Sequence, residues 1–127
     1  MHKKLNKKMV HVLVKRIKKR MKLKDGEAFY HLGVHYKNGY CGLSKDLNKA
    51  IELYKQAVEF GSLEAHIFMA NAYENGNGVD QDFEKAIHHF EIASIRGHES
   101  ARYALGWYEE QKGNMDRAMK HYLIAAK

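Results

Sequence analysis

No proline occurs among the 127 residues, so the residue that most reliably stops or kinks a helix is missing. Turns must then be made by other means, and ten glycines, several beside asparagine, are there to make them. Cysteine occurs once, at Cys41, which excludes an internal disulfide and suits a reducing compartment. Its setting, Gly39-Tyr40-Cys41-Gly42, fixes no basic neighbour beside the sulfur, so an ordinary exposed thiol is expected there and not a nucleophile. Long apolar runs are also missing. The longest near the N-terminus, residues 9–14, is interrupted by His11 and falls well short of the roughly 18 residues that cross a bilayer. Lysines precede it, but no small-residue cleavage site follows, so the chain is expected to be soluble, unprocessed and cytoplasmic. The sequence contains no GxSxG, GxGxxG, GxxxxGK[ST], HExxH or CxxC motif. No catalysis and no cofactor are expected.

Acidic residues are missing from one region only. Residues 1–24 hold eleven of the 22 lysines and arginines and no acid, whereas residues 25–127 hold eleven basic and fifteen acidic residues. The net charge of +7 therefore separates into a leader of +11 and a body of −4. Such asymmetry indicates a basic segment attached to a mildly acidic domain.

In the leader, Leu5, Met9, Val12, Leu13, Ile17 and Met21 recur at helical spacing between cations, which predicts an amphipathic helix over residues 3–24. In the body a longer spacing dominates. From Ala65, the residues Met69, Ala70, Tyr73, Gly76, Ala86, Phe90, Ala93 and Gly97 mark out a pattern that starts again at Ala28 and at Ala101. The copies begin 37 and 36 residues apart, a period that belongs to stacked helical hairpins. First helices are expected near 28–37, 65–75 and 101–111, and second helices near 46–60, 82–96 and 114–126. Asp25 and Ser62 stand where side chains cap a first helix; His98, in the third copy, is a poorer cap. Each second helix carries alanine, aromatic and alanine on one face, at Ala50, Tyr54, Ala57 and at Ala86, Phe90, Ala93. Gly33, Ala70 and Gly106 offer small surfaces from the facing helix. Carried back one period, the register places Leu13 and Ile17 where Ala50 and Tyr54 stand. The leader therefore reads as half a repeat that caps the end of the stack.

The pattern A-x3-LG-x2-Y-x2-G followed by D-x2-KA-x2-(L/H)(Y/F)-x2-A-x3-G-x3-A resembles the Sel1-like repeat, a branch of the tetratricopeptide-repeat superfamily with a longer linker inside the hairpin. The resemblance covers residues 25–127, as repeats at about 28–64, 65–100 and 101–127, after a leader of 1–24. The third copy departs from it, with eleven residues between Gly106 and Ala118 against sixteen between Gly33 and Ala50, and with Glu109 in place of Tyr36 and Tyr73. No polar capping helix follows that copy, so either a fragment of a longer array or a terminal repeat covered by self-association is expected. The resemblance implies an all-α, right-handed α-solenoid of stacked helical hairpins that binds a protein or peptide as a scaffold or adaptor. It further implies a concave groove faced by Glu27, Tyr30, Val34 and Lys37, by Glu64, Ile67, Asn71 and Glu74, and by Tyr103, Trp107 and Glu110. Tyr30, Tyr103 and Trp107 are its candidate anchors, because aromatic side chains dominate binding energy; Trp107 also fits a role in covering the repeat junction. The lysine and asparagine set with which some relatives clamp a peptide carboxylate is missing, since Tyr30, Val34, Ser100 and Ala104 stand there.

Nine histidines raise the question of a metal. His31 and His35 are one turn apart, but two imidazoles without a third ligand do not close a site. His88 and His89 are adjacent, and His89 takes the place of Leu53 beside the core aromatic, so packing is expected of it and no metal is expected. The cations Lys15, Arg16, Lys18, Lys19 and Arg20 fit a solvated outer face of the capping helix. The alternative is electrostatic attachment to nucleic acid or an anionic membrane, with nuclear import through the same segment.

Overall fold

The computed structural model describes residues 7–126, the Cys41 side chain excepted. Leu5 and the Cys41 thiol, on which the sequence raises expectations, lie outside the described residues. Among the described residues seven α-helices follow one another: α1 (Lys7–Lys22), α2 (Gly26–Asn38), α3 (Leu47–Glu59), α4 (Leu63–Asn75), α5 (Phe83–Ile95), α6 (Glu99–Gln111) and α7 (Met115–Ala125). A short 3-10 turn, Tyr40–Gly42, links α2 to α3, and no strand occurs among the described residues. The fold is an all-α helical repeat.

First helices begin two residues before the alanines that mark each copy, because the caps stand one residue earlier still. Asp25 Oδ1 accepts from the Glu27 amide at 3.0 Å, and Ser62 Oγ accepts from Ala65 at 3.2 Å. His98 does the same work, contrary to its poor standing as a cap: its Nδ1 accepts from the Ala101 amide at 3.1 Å. A neutral imidazole has one ring nitrogen with a free lone pair, which is all that a cap requires. Asp46 and Asp82 cap α3 and α5 in the same manner, accepting from Lys49 and Lys85.

Two backbone hydrogen bonds recur from hairpin to hairpin. Inside each, the amide of the residue before the second helix donates to the first helix, from Asp46 to Tyr36, Asp82 to Tyr73 and Asn114 to Glu109. The contracted third linker therefore closes on the same carbonyl as the longer ones. Between hairpins, Ser62 donates to Ala57 and His98 to Ala93, and Asp25 donates in the same way to Arg20 of α1. The Arg20 carbonyl thus accepts the same bond as those of Ala57 and Ala93.

The chain divides into two compact units, the first reaching to Ala65 and the second starting at His66. In the first, Ile17 of α1 joins Ala28, Phe29, Leu32, Leu53, Ala57 and Ala65 in one apolar cluster, with Leu13 and Met21 packed against it. Leu13, Ile17 and Met21 thus form the face that α1 turns to the cluster. In the second, Met69, Ala70, Ala86, Phe90, Ala93, Ala101, Leu105, Tyr108, Ala118 and Ala125 are buried.

In each unit a glycine lets a helix approach a tyrosine ring closely. A Cβ at Gly33 would lie 2.8 Å from the Tyr54 ring, and one at Gly106 would lie 2.6 Å from that of Tyr122. Gly26 is tighter in kind, because its absent Cβ would meet backbone: the Phe60 carbonyl oxygen at 2.8 Å and that of Ala57 at 3.1 Å. Helix propensity alone favours alanine over glycine by about 1 kcal/mol. Gly26→Ala is nevertheless expected to lose about 1–3 kcal/mol, the range for overpacking against atoms that cannot rotate away. Urea unfolding followed by circular dichroism reads the outcome, and an unchanged or raised midpoint would contradict the close approach of α2 to the end of α3.

Candidate binding surface

The positions implied as groove-facing fall on α2 and the start of α4 in the first unit, and on the rest of α4 and on α6 in the second. In the first unit, Tyr30 is half-buried, its ring 5.7 Å from that of Tyr54 and 5.5 Å from His31. Burial raises its hydroxyl above the usual range, and the nearby Glu64 and Glu27 carboxylates push the same way. Glu27 is itself raised, first by burial and also by Glu64, against a bond from Ser62 that lowers it. The fold thus brings Glu27, Tyr30 and Glu64 together. Val34 is half-buried and its carbonyl accepts from the Asn38 side chain, while Lys37 is exposed.

In the second unit, Ile67 is half-buried and Asn71 exposed, its carbonyl accepting from the Asn75 amide group at 3.0 Å. Tyr103 and Trp107 lie one turn apart on α6 and are 46% and 48% exposed. Trp107 meets Tyr108 edge-on at 5.2 Å, and Tyr103 lies 5.9 Å from Tyr122. Both acidic positions are already held. Glu74 Oε2 accepts from the Tyr108 hydroxyl at 2.9 Å, and Glu110 Oε2 from that of Tyr122 at 2.8 Å. Burial, then the bond to Glu74, pushes the Tyr108 hydroxyl far above its ordinary value. The acids therefore act first as braces that fix the tyrosines on which the two exposed aromatics rest.

Tyr108 escaped the sequence pattern. The template places an aromatic at Tyr36 and Tyr73, and the third copy has Glu109 there, so its aromatic has moved back by one residue. In that place Tyr108 meets Phe83 at 6.2 Å and Phe90 at 6.3 Å, both on α5. The shifted aromatic beside Glu109 is the signal that could have revealed it.

The histidines divide. His31 is exposed, and His35 is half-buried edge-on to Tyr40 at 6.2 Å. His89 packs, as its place in the repeat implies, stacked on Tyr73 at 5.8 Å. It also forms a 2.9 Å Nδ1 to Nδ1 contact with buried His66, a pairing across 23 residues that no periodicity reveals. Among the described residues no three His, Cys, Asp or Glu side chains converge as a group able to hold a metal. No helix among the described residues is long and apolar enough to cross a membrane.

On α1, Lys15, Arg16, Lys18, Lys19 and Arg20 are all exposed, and Arg20 pairs with Asp25 at 3.2 Å, tying the leader to the α2 cap. On α7, Met115, Met119, Leu123 and Ile124 are 49–60% exposed.

Capped helical hairpins in repeat register, joined by recurring backbone bonds and exposing side chains from their first helices, define a helical-repeat protein. The chain belongs to the Sel1 repeat family, whose model matches residues 26–61, 63–98 and 100–127. It is similar to Chitin synthase regulatory factor 4 of Schizosaccharomyces pombe, 30% identical over 106 residues that make up 83% of this chain and 17% of that protein. It is also similar to Chitin synthase regulator SKT5 of Saccharomyces cerevisiae, 30% identical over 82 residues, 65% of this chain and 12% of that one. The chain thus spans less than a fifth of the length of these curated relatives. Among solved structures, a Sel1 repeat protein from Oxalobacter formigenes matches with a TM-score of 0.78 and 29% identity, over 89% of this chain and 47% of that one. The protective antigen c5321 of uropathogenic Escherichia coli, which displays an SLR fold, matches with a TM-score of 0.76 and 27% identity, over 89% of this chain and 25% of its own.

Proposed function

We propose that this chain is a non-catalytic interaction module, a scaffold or adaptor that takes a peptide or protein segment on the first-helix surface, with Tyr103 and Trp107 as its anchors. Residues 1–24 serve as its cap and residues 25–127 as its repeats. The observation that carries this reading is the pair of half-exposed aromatics one turn apart on α6, resting on tyrosines whose hydroxyls are fixed by Glu74 and Glu110. Pre-positioned aromatic anchors lose little conformational freedom on binding, which is why they dominate interface energies. Relatives named as regulators of chitin synthase are consistent with such a role, since regulation of another protein requires contact with it.

Trp107 is the only tryptophan, so it reports on its own surface. Peptides selected from a random library on the wild-type chain and titrated by fluorescence are expected to shift the Trp107 emission. Tyr103→Ala is expected to weaken them by about 30-fold, the equivalent of about 2 kcal/mol at a hot spot. Selected peptides that leave the emission unchanged and bind Tyr103→Ala and Trp107→Ala as tightly as wild type would remove this surface from consideration.

A further inference from the structure

The outer face of α1 takes no part in the aromatic surface on α6. Its inward side is taken up by Leu13, Ile17 and Met21 against the first-unit cluster. At 3.6 residues per turn, Lys8, Lys15, Lys19 and Lys22 fall on the opposite side, all exposed. Between these two faces runs an apolar shoulder of Met9, Val12 and, just beyond the helix end, Leu23, exposed by 52%, 43% and 76%. Residues 1–24 contain no acid, and among the described residues the ion pair made by α1 joins Arg20 to Asp25 on the inward edge.

We propose that α1 docks this chain onto the surface of an anionic lipid bilayer, lying parallel to it while the rest of the fold stays in water. Cations one and two turns apart meet the phosphates and carboxylates of anionic headgroups, and the adjoining shoulder of Val12, Leu23 and Met9 enters the zone between headgroup and acyl chain. Both components are needed for this choice of partner. Nucleic acid presents phosphates but no aliphatic phase for the shoulder, and residues 1–24 contain no aromatic side chain on which a base could stack. The buried face is not required to open, because the shoulder is already outside.

The full chain is tested by co-sedimentation with vesicles of phosphatidylcholine alone and of phosphatidylcholine with about a third phosphatidylserine. Binding is expected to the mixed vesicles only and to fall as salt rises. Val12→Asp and the double variant Lys15→Glu/Lys19→Glu are each expected to weaken it by about tenfold or more, with helical content unchanged because all three side chains point away from the fold. Absence of binding to the mixed vesicles overturns the proposal. So does binding to a single-stranded oligonucleotide that exceeds vesicle binding and ignores Val12→Asp, an outcome that would assign the face to phosphate alone.

Discussion

Tyr54→Ala is expected to lower the stability of the fold by about 4 kcal/mol, the range for removing a buried aromatic ring and leaving its cavity. Tyr54 has no solvent exposure, its ring lies against the backbone of Gly33, and Tyr30 leans on it from the same helix. Burial drives its hydroxyl well above the ordinary tyrosine range, which reflects how little water reaches it. Domains of this kind hold roughly 5–15 kcal/mol in all, so the variant should unfold at a much lower urea midpoint. A loss below about 1 kcal/mol would mean that α2 collapses onto α3 without the ring, against close packing. A second substitution separates the ring from the site. Gly33→Ala alone should cost about 1–3 kcal/mol by overpacking, whereas in the Tyr54→Ala background the added methyl enters the vacated space. The two effects should then fail to add, as expected of residues in direct contact.

Acidification is expected to destabilise the second unit through His89. Burial first, then His66 and His88, pushes its pKa down to about 4, and His66 is lowered in the same direction by burial, Arg96 and His88. Lys85 faces the same cluster from above the Tyr73 ring, which adds another positive charge to its surroundings. The contact between the two Nδ1 atoms also requires one ring to donate and the other to accept, which two imidazolium ions cannot do. An imidazole whose folded pKa lies below its free value near 6.5 takes up its proton preferentially in the unfolded chain. The stability owed to the neutral ring is therefore present above about pH 6.5 and is lost as pH falls toward 4. Discounted for the part of the ring that solvent reaches, the loss from His89 is about 2 kcal/mol. His89→Leu, which installs the residue that the first repeat carries at Leu53, should flatten the stability profile between pH 7 and pH 4.5. An equally steep profile in wild type and variant would show that the acid sensitivity resides elsewhere.

Legibility in the sequence followed the range of the interaction. Alanine spacing revealed which faces pack, and Ala50, Ala57, Ala86, Ala93, Ala118 and Ala125 are all buried, because small residues recurring every three or four positions leave few other arrangements of a helix pair. Asp25 and Ser62 were legible as caps because capping acts within three residues. The strength of His98 as a cap is not legible from residue type, because it depends on the tautomer that leaves Nδ1 free to accept. The site was less legible. Periodicity placed Tyr103 and Trp107 on one face of a helix but could not separate an outward aromatic from one that covers a junction. The braces beneath them, Tyr108 to Glu74 and Tyr122 to Glu110, span 34 and 12 residues and depend on hydroxyl positions that no repeat template encodes.

Within each unit the principal helix pairings join neighbours along the chain: α1 with α2, α2 with α3, α5 with α6, and α6 with α7. Only short loops must close before such contacts form, so little entropy is lost ahead of the first favourable packing. Proteins built from local contacts fold in microseconds to milliseconds, whereas those that must join distant strands take far longer. The pairing of α2 with α3 lies within about 35 residues, a length that a ribosome delivers in a few seconds. Synthesis, and not the search for the native arrangement, then sets the pace at which this chain acquires its structure.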